Sequence, residues 1–144
     1  MSDELIIKES NLNLAKIGSL FKSAFIDSEL DPEVELIVIK DYPEILIDLD
    51  KDRSCIRFTS RFRIKCGFDE LTILKAINNA NLGKIMIRYF LDNTDPKNPS
   101  FIADYYLNFK GGVTAHQIID SYKKMISITK IAIYEDDLTK FFDE

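Results

Sequence analysis

His116, the cysteines Cys55 and Cys66, and the glycine pair Gly111-Gly112 are the residues from which a reactive site could be assembled. Nucleophilic catalysis needs a nucleophile beside a base that a third group orients. His116 is the only histidine, and it falls in the first turn of a helix, just behind its cap. A cation there would oppose the helix dipole, so an exposed neutral imidazole is expected. Zinc needs three or four Cys, His or carboxylate ligands, and these types are too few and too scattered to supply them. Neither cysteine has a Cys-x-x-Cys or histidine companion, which fits two reduced thiols in a cytoplasmic protein. Gly111-Gly112 precedes a helix, where free backbone N–H groups can hold anions. No Lys-Ser/Thr follows, and Thr114 with Gln117 makes a T-x-x-Q capping box that occupies part of those donors. A tight strand-to-helix turn is the expectation. Calcium loops and Walker-type phosphate loops do not occur. The reading is therefore of a chain with no catalytic, metal or cofactor site.

Binding is the remaining chemistry. Arg57, Arg61, Arg63 and Lys65 share the face of one strand that lies opposite its apolar residues. Such a row could meet an acidic protein partner or RNA. The simpler expectation is an ion-paired sheet face, with Asp48 of the neighbouring strand diagonal to Arg57. A net charge of −5 works against phosphate neutralisation. No set of aromatics interleaves with the row to stack bases, so nucleic acid is disfavoured. Asn81 falls inside the apolar arc made by Ile73, Leu74 and Ile77, and Asn78 lies at its edge. Amides so placed are expected to bond backbone at a helix end, because burial without a partner is costly. Contact with a small ligand or substrate is the alternative. Leu71, on another side of the same helix, could serve a second copy. The tail from Asp136 to Glu144 mixes acids with Leu138, Phe141 and Phe142. A turn docking Phe141 and Phe142 on the body is expected, with an exposed partner-binding segment as the alternative.

The elements that must position these residues fit one domain of 144 residues, with a core over 11–134 and the tail over 135–144. A first helix is read from Asn11 to Ser28, capped by Ser10 or Asn11, with Leu14, Ile17, Phe21, Ala24 and Phe25 at helical spacing. Three strands follow, Val34–Lys40, Glu44–Leu49 and Ser54–Ile64. Pairing the last two across Lys51-Asp52 sets Ile47 against Ile56, Ile45 against Phe58 and Asp48 against Cys55. A second helix covers Glu70–Leu82, capped by Asp69, stapled by Phe68 and Ile73, and ended by a left-handed Gly83. Strands Ile85–Leu91 and Phe101–Lys110 come next. The third helix starts at the Thr114/Gln117 box with Val113 and Ile118 as staple, and Ile119, Tyr122, Ile126, Thr129 and Ile133 run along one side. The fold class is α+β: five antiparallel strands with three helices in the order α-β-β-β-α-β-β-α. The opening Met1-Ser2-Asp3-Glu4 carries no apolar stretch like a secretory leader, and no apolar run approaches the roughly 20 residues of a membrane helix.

That element order, with Ala76-Ile77-Asn78-Asn79-Ala80-Asn81, Tyr106-Leu107-Asn108-Phe109 and Gly111-Gly112-Val113-Thr114, resembles the YbjN family over about Asn11 to Tyr134. Its members are described as candidate bacterial sensory-transduction regulators. The family is similar in fold to the class I chaperones of type III secretion, small acidic cytoplasmic proteins, commonly dimeric, that hold an extended effector segment. The resemblance implies a non-enzymatic protein-binding domain, chaperone-like or regulatory, and a homodimer without catalytic residues. A dedicated secretion chaperone for one effector is the alternative. A small-ligand protein or enzyme using Asn78 and Asn81 is the reading from another class. Arg57, Arg61, Arg63, Leu71, Phe141 and Phe142 are the candidate partner-binding residues, and Asn78, Asn81, Thr114 and Gln117 the structural polar ones.

Overall fold

The computed structural model describes residues 5–135 and 137–143. The acidic opening 1–4 and the tail residues Asp136 and Glu144 lie outside the described residues. In chain order the elements are β1 (Ile6–Ile7), α1 (Leu14–Ser23), β2 (Glu29–Asp31), β3 (Leu36–Ile39), β4 (Ile45–Asp50), β5 (Cys55–Arg63), α2 (Glu70–Gly83), β6 (Arg88–Asp92), β7 (Ser100–Asn108), β8 (Val113–Thr114) and α3 (Ala115–Glu135). Six strands pair antiparallel in the spatial order β2-β3-β4-β5-β7-β6, and β1 pairs with β8 in a separate ribbon. The α+β class with three α-helices holds. The sheet has six strands and a two-stranded companion, not five.

Alternation along each strand explains the layering. Ile37, Ile47, Ile56, Phe58 and Phe101 turn to one face and are fully or almost fully buried. Ile17 and Phe21 of α1 and Ile118, Tyr122, Met125 and Ile133 of α3 complete that core. The buried side of α3 runs through Ile118, Tyr122, Met125 and Ala132, so Ile119 and Ile126 are only half-buried.

The sixth strand comes from a helix that stops early. Asn13, not Ser10 or Asn11, caps α1 by accepting from the Lys16 N–H at 2.7 Å. Glu9–Asn11 forms its own 3-10 turn. At the other end Phe25 takes a left-handed φ of 61°. Its N–H donates to the Lys22 carbonyl at 3.1 Å, and the Ile26 N–H donates to the Phe21 carbonyl at 2.9 Å. This is a Schellman ending, which satisfies carbonyls the last turn would otherwise orphan. The chain then turns back, and Glu29–Asp31 pairs with β3.

Register differs by two residues in the β4–β5 hairpin: Ile47 faces Phe58, Leu49 faces Ile56, Asp48 faces Arg57 and Asp50 faces Cys55. A four-residue loop replaces the two-residue turn. Asp50 accepts from the Arg53 N–H at 3.0 Å, and Ser54 adopts a φ of 53°. A shift of two keeps every side chain on its face, so hydrophobic patterning alone does not choose between the registers. Gly83 ends α2 as its last helical residue, without the left-handed turn expected of it. The positive φ falls on Met86 instead, and the following strand starts at Arg88.

Candidate functional site

The face of the sheet away from the helices carries the arginine row, and the row is paired. Arg57 Nη2 reaches Asp104 Oδ2 at 3.4 Å. Arg61 meets Asp92 at 3.0 Å and the Ser100 hydroxyl at 3.3 Å. Arg63 donates to Asn98 at 2.6 Å and lies 3.7 Å from Asp143. The centre of the network is Asp104, only 1% exposed although the described helices contribute their buried side chains to the opposite face of the sheet. Arg88 grips it with two bonds, Nε to Oδ1 at 3.0 Å and Nη2 to Oδ2 at 2.6 Å. That pairing raises the Arg88 pKa. Sequence reasoning did not single out Asp104; a lone acid inside the run Phe101-Ile102-Ala103-Asp104-Tyr105 was its signal. Asp48, directly opposite Arg57 and not diagonal to it, is held above the usual carboxylate range by burial, which the Arg57 charge offsets only in part.

The glycine turn is also occupied. Gly111 and Gly112 have φ of 84° and 116°, and the Glu9 carboxylate accepts from the Gly111 N–H at 2.9 Å and the Ser54 hydroxyl at 2.7 Å. These bonds, the backbone one first, hold the Glu9 carboxyl below its usual range. A side chain at Gly112 would place its Cβ 2.6 Å from Ile6 Cγ2 and 3.1 Å from the Ile7 oxygen. The Thr114/Gln117 box forms in both directions, at 3.1 and 2.8 Å. Asp69 caps α2 by accepting from the Thr72 N–H at 3.2 Å. His116 is exposed in the first turn of α3, and no cluster of metal-ligating residues exists among the described residues. Phe141 and Phe142 are buried: Phe142 stacks on Phe62 at 4.7 Å, and Phe68 meets Phe141 edge-on at 4.8 Å. They belong to the core and offer no partner-binding surface.

A sheet's two edges are where another polypeptide can add, since each leaves backbone donors and acceptors unmatched. Here the edges are treated differently. At β6 the Asn81 side chain accepts from the Tyr89 N–H at 3.0 Å and donates to the Tyr89 carbonyl at 2.9 Å. One amide thus stands in for a neighbouring strand. The Asn81 amide bonds backbone of the strand, where helix-end backbone was the expectation. Asn78 is exposed and is not brought together with it. At the opposite edge all three residues of β2 are exposed.

Among the places where folding leaves apolar side chains uncovered, two adjoin α2 and β2. Leu71, Leu74 and Leu82 lie within about 80° of one another on the α2 wheel, and Leu82 and the following Ile85 are 77% and 75% exposed. The second surface adjoins β2. Phe25 is 98% exposed and beside it runs an open groove of about 670 Å³, lined by Ala15, Gly18 and Lys22 of α1 and by Ile26 and Leu30. A left-handed residue with a Cβ costs roughly 1–2 kcal/mol, and glycine would fill that position without strain. Phe25 therefore takes a strained backbone position while its ring stays exposed.

The architecture is an antiparallel sheet with three helices, and no cluster of metal-ligating residues forms among the described residues. The particular fold is that of YbjN. The crystal structure of the Escherichia coli protein, titled a candidate transcription regulator, matches with a TM-score of 0.79 at 15% identity, over 92% of this chain and 97% of that one. At that identity the likeness is one of fold. No protein-family model and no curated protein matches the chain. No helix among the described residues is long and apolar enough to cross a membrane.

Proposed function

We propose that this chain is a non-enzymatic protein-binding domain, chaperone-like or regulatory, that works as a homodimer and holds another polypeptide. The observation that carries the reading is the α2 surface: Leu71, Leu74, Leu82, Ile85 and Met86 remain exposed within one short stretch. Contiguous apolar patches of this kind mark association surfaces. The arginine row, by contrast, is ion-paired within the sheet, with Arg57 Nε left buried and unbonded, which weakens the case for an acidic partner or nucleic acid there. The Asn81 amide is engaged by Tyr89, which removes half of the polar pair a small-ligand site would need.

Size-exclusion chromatography with light scattering tests the assembly. The native chain should run as a dimer at micromolar concentration, and Leu71→Glu with Leu82→Glu should run as a folded monomer. A native monomer across that range would remove the dimer. Cross-linking in the native cell, followed by mass spectrometry, tests whether a polypeptide is held and which residues touch it.

A further inference from the structure

We infer that the free β2 edge, with the groove beside Phe25, takes an extended segment of a partner whose residues alternate apolar and basic. The inference rests on the protein-binding reading above and adds the place and the chemistry of the partner.

Edge selection comes first. The sheet's edges are β2 and β6; on β6 the Asn81 amide takes up the outward backbone of Tyr89, and β2 shows no such side-chain bond to its backbone among the described residues. An extended chain added to β2 would make backbone bonds there, the mode by which open sheets take up peptides. Its side chains would then alternate between two faces. Leu30 lies on the face that holds the groove, where Ala15 and Gly18 of α1 leave room and Phe25 stands at the rim. Apolar partner residues belong on that side.

The other face sets the charge. Glu29 and Asp31 are cross-strand neighbours of Val38 and Leu36, on the side away from the helices. Glu33 and Glu35 follow in the turn to β3, while Asp27 lines the groove itself, so the acids on this face of β2 are Glu29 and Asp31. Lys40 approaches Glu29 at 3.4 Å, but both side chains are largely exposed and such a pair is weak. Lysine or arginine at alternate positions of the added strand would face this acidic row, and an acidic strand would be repelled. A short strand bearing like charges is also a known guard against unwanted pairing. A guard does not explain an aromatic ring held exposed beside the groove.

The test uses the full chain and three synthetic ten-residue peptides sharing one set of alternating Val and Ile. Lysine fills the other positions in the first and glutamate in the second, and the third is the lysine peptide with two central prolines. Binding is read by amide chemical-shift changes and fluorescence anisotropy at two salt concentrations. The lysine peptide should bind, shift resonances of positions 15–31, and weaken with salt. The proline and glutamate peptides should bind at least tenfold more weakly. Phe25→Ala should weaken the lysine peptide at least tenfold, and Glu29→Lys with Asp31→Lys should reverse the charge preference. Equal binding of both charges, or shifts centred on α2 or the arginine face, would overturn this inference and leave the broader reading standing. No binding by any peptide would overturn the inference as well. The broader reading would fall with it only if the chain also proved monomeric and unlinked to any polypeptide.

Discussion

The Asn81 carboxamide makes a two-point pair with the backbone of Tyr89, accepting from its N–H at 3.0 Å and donating to its carbonyl at 2.9 Å. A residue's N–H and C=O point to the same side of a strand, so both belong to the outward edge of β6. Removing the amide leaves both without this partner. Asn81→Ala should cost about 1–2 kcal/mol, the range for stripping a partner from a partly buried group. Asn81→Asp should retain the bond to the N–H but set a carboxylate against the carbonyl, and should be relieved as pH falls. Urea unfolding of the two variants at pH 7 and pH 4 checks the pattern; equal losses at both pH values for Asn81→Asp would count against it.

Asp104 is the buried counterpart of the arginine row, and its loss strands two guanidinium groups. Breaking a fully buried pair costs 3–5 kcal/mol, but Arg88 is 62% exposed in its side chain and can turn to water. Asp104→Ala should therefore lose about 2–3 kcal/mol, below that range because Arg88 regains solvent. Arg88→Ala should cost more than Arg57→Ala, because Arg88 makes two short bonds and Arg57 one contact at 3.4 Å. Thermal unfolding of the three variants orders them.

Local signals were legible where a few neighbouring residues decide the outcome. Asp69 and the Thr114/Gln117 box could be read as caps because each satisfies donors within one turn. The docking of Phe141 and Phe142 followed from two aromatics with no other place to go. What escaped depended on competition between distant or nearly equal options. A Schellman ending on Phe25 contradicts residue preference, so the periodicity predicts a helix reaching Ser28, which leaves no turn before Glu29–Asp31 and hence no β2. The hairpin register hinged on a loop, since shifts by two preserve burial. Asp104 was invisible because its significance lies in Arg57 and Arg88, 47 and 16 residues away.

Two carboxylates should give opposite pH signatures. Glu9 has a depressed pKa, owing first to the Gly111 N–H and then to the Ser54 hydroxyl. Its contribution is full above the ordinary value of 4.5 and is lost as pH falls through the lowered one. Asp48 has a raised pKa, mainly from burial, so its contribution is full below 3.8 and is lost as pH rises through the raised value. Glu9→Gln should accordingly be less stable than the native chain at pH 7, with the gap closing in acid. Asp48→Asn should be more stable at pH 7, with that advantage fading in acid. Denaturant midpoints from pH 3 to 7 separate the two; parallel curves for either variant would reject its assignment.

Phe25 offers the sharpest separation of folding from function. Its ring is solvent-exposed, and its backbone sits where a Cβ is unfavourable. Phe25→Gly should relieve about 1 kcal/mol of left-handed strain, part of which is offset because glycine also frees the unfolded chain. Phe25→Ala keeps the strain and removes only the ring, so its stability should stay close to native. Urea midpoints should therefore rank Phe25→Gly at or above Phe25→Ala. A large loss of stability in the alanine variant would show that the ring supports the fold, and the exposed aromatic would then need no partner to account for it.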